Sequence, residues 1–220
     1  MQLLSQTEEN YLKAIYTLTQ EGGDAETSTN AIAEKVSTKP STVTDMLRKL
    51  KEKSLIEYEK YKKVALTRDG EKAALQIVRK HRLWEVFLYE KLAFSWDEVH
   101  EVAEQLEHIQ SPKLIDRLDQ YLGSPEFDPH GDPIPTASGE LRKVYTVTLA
   151  ETPVGNSCKV MAVKDGSTDF LKYLAQLKLE LGTELKVIDH VPFDGSMIIQ
   201  IGKSKKIMVS QKIAENIMVK

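Results

Sequence analysis

The stretch TNAIAEKVSTKPSTVTDMLRKLKEKSLIEYEKYKKVALT, residues 29–67, decides the fold. Its apolar residues fall at helical spacing twice, first as Ile32, Ala33 and Val36, then as Val43, Met46, Leu47 and Leu50. Thr29 or Asn30 can cap the first of these helices, and Ser37 to Lys39 form the turn after it. Pro40 suits the first position of the next helix, where its missing N–H costs nothing. LIEYEKYKKVALT then gives two short apolar, aromatic and β-branched runs around a charged middle, the pattern of a β-hairpin. Upstream, Thr7 followed by Glu8 and Glu9 marks a helix start, and Tyr11, Leu12, Ile15, Tyr16 and Leu18 give that helix an apolar stripe that stops near Gly22-Gly23. Helix, helix, turn, helix and hairpin in this order spell a winged helix-turn-helix.

In such a module the helix after the turn is the reading helix. Its expected DNA-facing residues are Thr38, Lys39, Pro40, Ser41, Thr42, Thr44, Asp45 and Arg48. Small hydroxyls at a helix start suit phosphate contacts, while Pro40 and the Thr42 methyl can touch thymine methyls. Lys60, Lys62 and Lys63 at the wing tip suit backbone phosphates. Between Glu34 and Arg68 stand ten Lys or Arg against five Asp or Glu, in a chain whose net charge is −3. A basic lobe on an acidic, cation-attracting body follows from that asymmetry.

The chain has 220 residues, 41% apolar and 29% charged, the balance of a soluble multi-domain protein. No run approaches the roughly 20 apolar residues of a membrane span. The start, MQLLSQTEENYLKAIY, lacks a basic segment followed by an apolar run, so no signal peptide is expected. Cys158 is the one cysteine and has no thiol partner for a disulfide or a Cys-type zinc site. A cytoplasmic setting fits.

Beyond the hairpin, Thr67 or Asp69 can cap a long helix from about Glu71 to Tyr89. DEVHEVAEQLEHI and PKLIDRLDQYLG follow as two more helices, then SPEFDPHGDPIPTASG as loop. The wide apolar faces of these helices suit a homodimer interface. Strand-like runs come last: VYTVTLA, CKVMAV, ELKVIDHV, SMIIQIG and KIMVS, with one helix, DFLKYLAQLKL, after the second. Short strands with Gly turns point to a small half-open SH3-like barrel. The expected domains are a DNA-binding winged helix over 1–72, a helical metal-binding and dimerisation domain over 73–142, and the SH3-like domain over 143–220.

The helical region carries metal-ligand residue types at helical spacing. His81 and Glu85 are four apart, as are His100, Glu104 and His108, with Glu107 beside the last. Glu104, Glu107 and His108 carry the strongest expectation, because two carboxylates neutralise a divalent cation and an imidazole adds a borderline donor. A carboxylate-rich, sulfur-free set suits Mn2+ or Fe2+. His81, Glu85 and His100 form a second site if the two helices pack side by side. Nothing supplies a nucleophile elbow, a phosphate loop or an HExxH motif, so no enzyme is expected.

TEENYLKAIYTL, STKPSTVTDMLRKL, HRLWE, VHEVAEQLEH and PHGDPIP together resemble the diphtheria toxin repressor family of iron- and manganese-dependent repressors, over essentially the whole chain. The resemblance implies a C-terminal SH3-like domain related to those of ferrous-iron uptake proteins. It also implies a metallated homodimer that binds a palindromic operator in double-stranded DNA and shuts off metal uptake. By position, the primary metal site is Asn10, Glu104, Glu107 and His108. The iron-sensing branch places Cys at the position of Glu104 and Met at that of Asn10, whereas the manganese-sensing branch places Glu and Asp. Glu104 therefore favours Mn2+, while Asn10 follows neither pattern and leaves Fe2+ open. Lys13 stands where some manganese regulators have a Glu for a second adjacent metal, which argues against that paired arrangement. The ancillary site takes His81, Glu85 and His100. The iron branch's Glu and Gln are replaced by Ser167 and Phe170, so Asp165, or failing it Asp169, is the expected ligand from the third domain. The alternative is a metal-independent winged-helix regulator in which the metal site is structural.

Overall fold

The computed structural model describes residues 3–22, 25–59, 63–141, 147–202 and 205–220. Lys60, Lys62, Gly23 and the first part of the expected strand VYTVTLA lie outside the described residues. The chain forms two compact units. One comprises Met1–His81, Glu104–Ser111 and Pro135–Glu140; the other comprises Arg82–Ala103, Pro112–Ile134 and Leu141–Lys220.

In the first unit, α1 (Gln6–Gly22) starts ahead of Thr7. Ser5 and Glu8 make a reciprocal cap, the Ser5 amide donating to Glu8 Oε2 at 2.8 Å and the Glu8 amide to Ser5 Oγ at 3.3 Å. Helix α2 (Thr29–Lys35) is capped by Ser28 rather than Thr29 or Asn30. Ser28 alone keeps the extended backbone (φ −96°, ψ 152°) from which its hydroxyl can accept the Ala31 amide. Helix α3 (Pro40–Glu52) begins at Pro40 as expected. Strands β1 (Glu26–Thr27), β2 (Ile56–Tyr58) and β3 (Val64–Leu66) form an antiparallel sheet in the order β1-β3-β2. The short β1 was not expected; its two residues are too few to show alternation. Leu12, Ile15, Ile32, Leu47 and Leu50, all fully buried, tie the three helices and the sheet into one core.

Both ends of the reading unit turn on serine. After α2 the amides of Ser37 and Thr38 bond back to the carbonyls of Glu34 and Ala33, and after α3 those of Ser54 and Leu55 bond to Lys51 and Leu50. These are two Schellman turns, each with a left-handed serine (Ser37 φ 50°, Ser54 φ 58°) at the position where glycine is usual. Helix α4 (Arg68–Leu92) follows, capped by Thr67, whose hydroxyl accepts the Gly70 amide at 3.1 Å. A Cβ on Gly70 would stand 1.8 Å from the Leu55 carbonyl oxygen, so only glycine lets α4 start against the end of the helix-turn-helix.

Helix α5 (Val99–Leu106) is shorter than its apolar pattern suggests, and α6 (Pro112–Tyr121) matches its own. The second unit is completed by a five-stranded antiparallel sheet, order β7-β6-β5-β4-β8. Its strands are β4 (Ser157–Val163), β5 (Glu184–His190), β6 (Met197–Ile201), β7 (Lys205–Val209) and β8 (Ile217–Val219). Helix α7 (Thr168–Leu177) lies between β4 and β5, and α8 (Gln211–Asn216) between β7 and β8. Leu171, Leu174, Leu179, Val187, Met197 and Ile199 fill its core. The described end of VYTVTLA is a 3-10 turn over Leu149–Glu151 with one bridge from Thr148 to Met218, not a strand. Glu151 imposes that turn by accepting from both the amide and the hydroxyl of Thr148 at 2.8 Å. Neither α8 nor β8 was expected, because six and three residues are too short to register a period. No helix among the described residues is long and apolar enough to cross a membrane.

Two stability effects follow. Ser37→Gly relieves a left-handed backbone at a Schellman turn and raises the unfolding free energy by about 0.5–1 kcal/mol in urea titrations. For Glu8, burial pushes the carboxyl up, but the Lys53 ammonium at 2.6 Å and the Ser5 amide outweigh it and hold the group below its usual 4.5. A lowered carboxylate contributes above its unfolded value, and that contribution fades as pH falls through the folded one. Glu8→Gln therefore costs about 1 kcal/mol at pH 7, and the difference from wild type shrinks as pH falls below 4.5 in pH-dependent unfolding.

Candidate functional site

Glu9 and Lys13 lie four apart on α1, and both face the stretch from Glu104 to Gln110 at the end of α5 and beyond it. Glu9 is buried and accepts from His108 Nδ1 at 2.6 Å and from Gln110 Nε2 at 2.7 Å, with Lys80 Nζ 3.2 Å away. Lys13 Nζ donates to Glu104 Oε1 at 2.5 Å and to Glu107 Oε2 at 2.6 Å. From α4, His81 brings Nδ1 to 2.6 Å from the same Glu107 Oε2. A carboxylate only accepts, so Nδ1 carries the ring proton. The 3.2 Å approach of Lys13 Nζ to that nitrogen is then a contact between two donors.

Glu107 is the centre of this group. Its side chain is fully buried, Oε2 takes both Lys13 and His81, and Oε1 has no hydrogen-bond partner among the described residues. His108 Nε2 is 4.0 Å from Oε1. Leaving a buried carboxylate oxygen unpartnered costs at least about 1–3 kcal/mol, which makes this atom a candidate ligand for a cation. Glu9 holds His108 by Nδ1, which leaves Nε2 as the ring's outward donor atom. Two carboxylates, one of them with an orphaned oxygen, and an imidazole nitrogen fit a hard or borderline divalent cation.

The local backbone differs from the expected helical ladder. Helix α5 ends at Leu106, and Glu107 and His108 sit in the turn beyond it, where the Ile109 amide bonds to the Leu106 carbonyl at 3.2 Å. His100, Glu104 and His108 are therefore not three rungs of one helix. Asn10 is exposed on α1 and makes no side-chain hydrogen bond among the described residues.

A second group lies in the other unit. Glu85, buried on α4, has Oε1 3.2 Å from His100 Nδ1 and 3.8 Å from His130 Nδ1. Glu85, Asp128 and His130, all buried, each offer one ligand atom within 4.8 Å of the others. Asp128 builds its own loop by accepting the amides of His130 and Asp132 at 2.8 and 2.9 Å. Gly131 (φ 87°) is required there, since a Cβ would stand 2.2 Å from the Met161 carbonyl oxygen. His130 Nε2 is 2.8 Å from the Trp96 carbonyl oxygen, so it donates its proton there, and Nδ1 faces Glu85. Burial drives the Asp128 carboxyl well above the usual range, and repulsion from Asp132 and Glu85 adds to this against the pull of Arg82. A crowd of buried acids beside an imidazole suits a cation.

This second group includes Glu85 and His100 from the expected ancillary set, while His81 is engaged by Glu107 in the first unit. Asp165 accepts the Ser167 amide at 2.9 Å, and Asp169 sits in the first turn of α7. Glu9, Asp128 and His130 were not expected from the sequence. Glu9 passes for a first-turn carboxylate, though its spacing from Lys13 is a usable signal. Asp128 and His130 lie in an aperiodic loop, where only the density of acid and imidazole residues in FDPHGDP could have drawn notice.

On the reading helix, Lys39, Pro40, Ser41, Thr42, Asp45 and Arg48 are exposed, and Thr38 and Thr44 are half-buried. The Thr44 hydroxyl bonds back to the Pro40 carbonyl at 3.0 Å, and Arg48 pairs with Asp45 at 3.2 Å. Lys63, at the start of β3, is exposed.

Three family descriptions match along the chain. They are an iron dependent repressor N-terminal DNA binding domain over residues 3–64, an iron dependent repressor metal binding and dimerisation domain over 67–136, and a FeoA domain over 147–220. The iron-dependent repressor IdeR of Mycobacterium leprae is 33% identical over 168 residues, 72% of this chain and 71% of that protein. A manganese-dependent transcriptional repressor solved in complex with manganese is 36% identical with a TM-score of 0.84, covering 96% of this chain and 98% of that one. ScaR with bound Cd2+ is 32% identical with a TM-score of 0.79, covering 97% and 98%. Winged helix, helical region and SH3-like sheet thus occur here in the order matched by these family descriptions and at about a third identity to known metal-dependent repressors, and the chain belongs to the diphtheria toxin repressor family.

Proposed function

We propose that this protein is a cytoplasmic, homodimeric repressor that binds a palindromic operator when Mn2+ or Fe2+ fills its metal sites, and so controls metal-uptake genes. The carrying observation is the buried Glu107, with one oxygen unpartnered and the other shared by two cationic or donor groups. Glu104, Glu107 and His108 would hold the primary ion, with Asn10 as a neutral oxygen donor from α1. Glu85, Asp128 and His130 would hold the ancillary one, with His100 at its edge and Asp165 as the nearest reserve from the third domain. When bound, a divalent ion supplies two positive charges and directed ligand bonds at these points. Glu104 and the absence of a sulfur donor favour Mn2+, and Asn10 weakens that preference by removing a charge, so Fe2+ belongs in every titration. We read the domains as 1–72, 73–142 and 143–220.

Coupling to DNA runs through α1. Leu12 and Ile15 bury α1 in the core that carries α3, while Glu9 and Lys13 on its polar edge grip the segment Glu104–Gln110. Any change in what Glu104, Glu107 and His108 bind is therefore felt by the helix supporting the reading helix. Such a link makes the ion an allosteric ligand to the extent that the DNA-competent pose binds it more tightly. Ser41, Thr42 and Lys39 would then meet the major groove and Lys60, Lys62 and Lys63 the flanking phosphates, with Thr38, Pro40, Thr44, Asp45 and Arg48 completing the face.

Fluorescence anisotropy on a fragment of the protein's own promoter tests this reading. Wild type should bind tightly with Mn2+ or anaerobic Fe2+ and weakly after chelation. Glu107→Ala should lose the metal-dependent gain, expected to exceed about 10³-fold between specific and non-specific binding, while keeping the salt-sensitive non-specific part. Normal metal-dependent affinity in that variant would defeat the assignment. Glu9→Gln should weaken metal binding by about 10–100-fold in calorimetry, the usual effect of removing the carboxylate that orients a ligating histidine.

A further inference from the structure

Lys13 is a half-buried cation set among the very side chains that would hold the primary ion. Its ammonium donates to Glu104 Oε1 at 2.5 Å and to the fully buried Glu107 at 2.6 Å, so it neutralises two carboxylates that would otherwise repel each other. The two Glu107 oxygens are differently placed. Oε2 is committed to Lys13 and His81, whereas Oε1 is unpartnered and lies 4.0 Å from His108 Nε2. A cation can therefore engage Glu107 Oε1 and His108 without disturbing Lys13. Glu104 is held by the same ammonium through Oε1, so a cation that draws on that carboxylate competes with Lys13 for its negative charge.

We propose that Lys13 is the resident counter-ion of this cage and a specificity-determining residue, which competes with the divalent ion for Glu104 and so sets the concentration at which the site fills. The proposal rests on Glu104, Glu107 and His108 being the primary metal site. The competition has two consequences. An apo cage held by an internal ammonium stays folded and compact instead of springing open. Release of Lys13 also gives α1 a second change of partner besides any contact from Asn10, so the same exchange that raises the metal threshold links filling of the site to the winged helix.

The test is direct Mn2+ binding to the full-length protein, read from the free-ion electron paramagnetic resonance signal and by calorimetry, with no DNA present. Lys13→Met should tighten the binding step by at least about tenfold, and Lys13→Gln should do so as well while keeping a donor to Glu104. Lys13→Arg, which retains the charge, should stay near wild type. In a Glu104→Gln background the gain from Lys13→Met should disappear, because the carboxylate being contested is gone. Thermal unfolding of apo Lys13→Met should show a lowered Tm that Mn2+ restores. Should Lys13→Met be too unstable to purify, the Gln and Arg pair carries the same contrast. Unchanged or weaker Mn2+ binding in both neutral variants, with binding still abolished by Glu107→Gln, would overturn the role of Lys13 and leave the cage standing. Mn2+ binding indifferent to Glu107→Gln would remove the cage reading and this proposal with it.

Discussion

A carboxylate removed from water must be answered by charge or by hydrogen bonds, and Glu107 shows how this protein meets that demand. Its side chain is wholly buried. Around it converge an ammonium from α1, an imidazole from α4 and the neighbouring His108. Desolvating a lone charge would cost several kcal/mol, so these elements hold their places partly because Glu107 gathers them. The winged-helix core, through α1, is thereby tied to the turn that ends α5. The residue on which we propose the metal site centres is in this way joined to the DNA-reading scaffold by one short set of polar contacts.

The second cluster follows a different logic. Glu85, Asp128 and His130 are brought together by backbone geometry more than by pairing. The Asp128 side chain folds its loop by accepting two amides, Gly131 lets that loop lie against β4, and the Trp96 carbonyl fixes the His130 tautomer. The resulting crowd of acids is answered only in part by Arg82, which reaches Asp128 and Asp132 at 3.5 and 3.3 Å. Burial raises the Asp128 carboxyl, the response of an acid that has too little positive charge nearby. Here the protein holds open a demand for a cation, whereas at Glu107 it meets part of that demand with its own lysine.

Serine in place of glycine at the two Schellman turns shows a similar tolerance for local cost. Ser37 and Ser54 both adopt a left-handed backbone on either side of α3. The turn geometry persists because the bonds back to Ala33 and Leu50 and the burial of Leu47 and Leu50 between them over-determine it.

Sequence alone determined the winged helix, the long α4, α6, α7 and most strands of the SH3-like sheet. Each is long or strongly patterned, and periodic burial is a property of consecutive residues. Pro40 and Thr67 were legible as helix-start signals for the same local reason. It also named Glu104, Glu107, His108, Glu85 and His100, because their residue types and spacing suit ligands whatever the fold does. Tertiary structure decided the rest. It ended α5 at Leu106 and so moved Glu107 and His108 off the helix, gave His81 to Glu107, and left Asn10 exposed. It placed Lys13 in the cage, Glu9 behind His108, and Asp128 and His130 beside Glu85. These are contacts between residues 26 to 99 positions apart, and no local period encodes them. They arise only when burying charged groups forces distant segments to supply one another's partners.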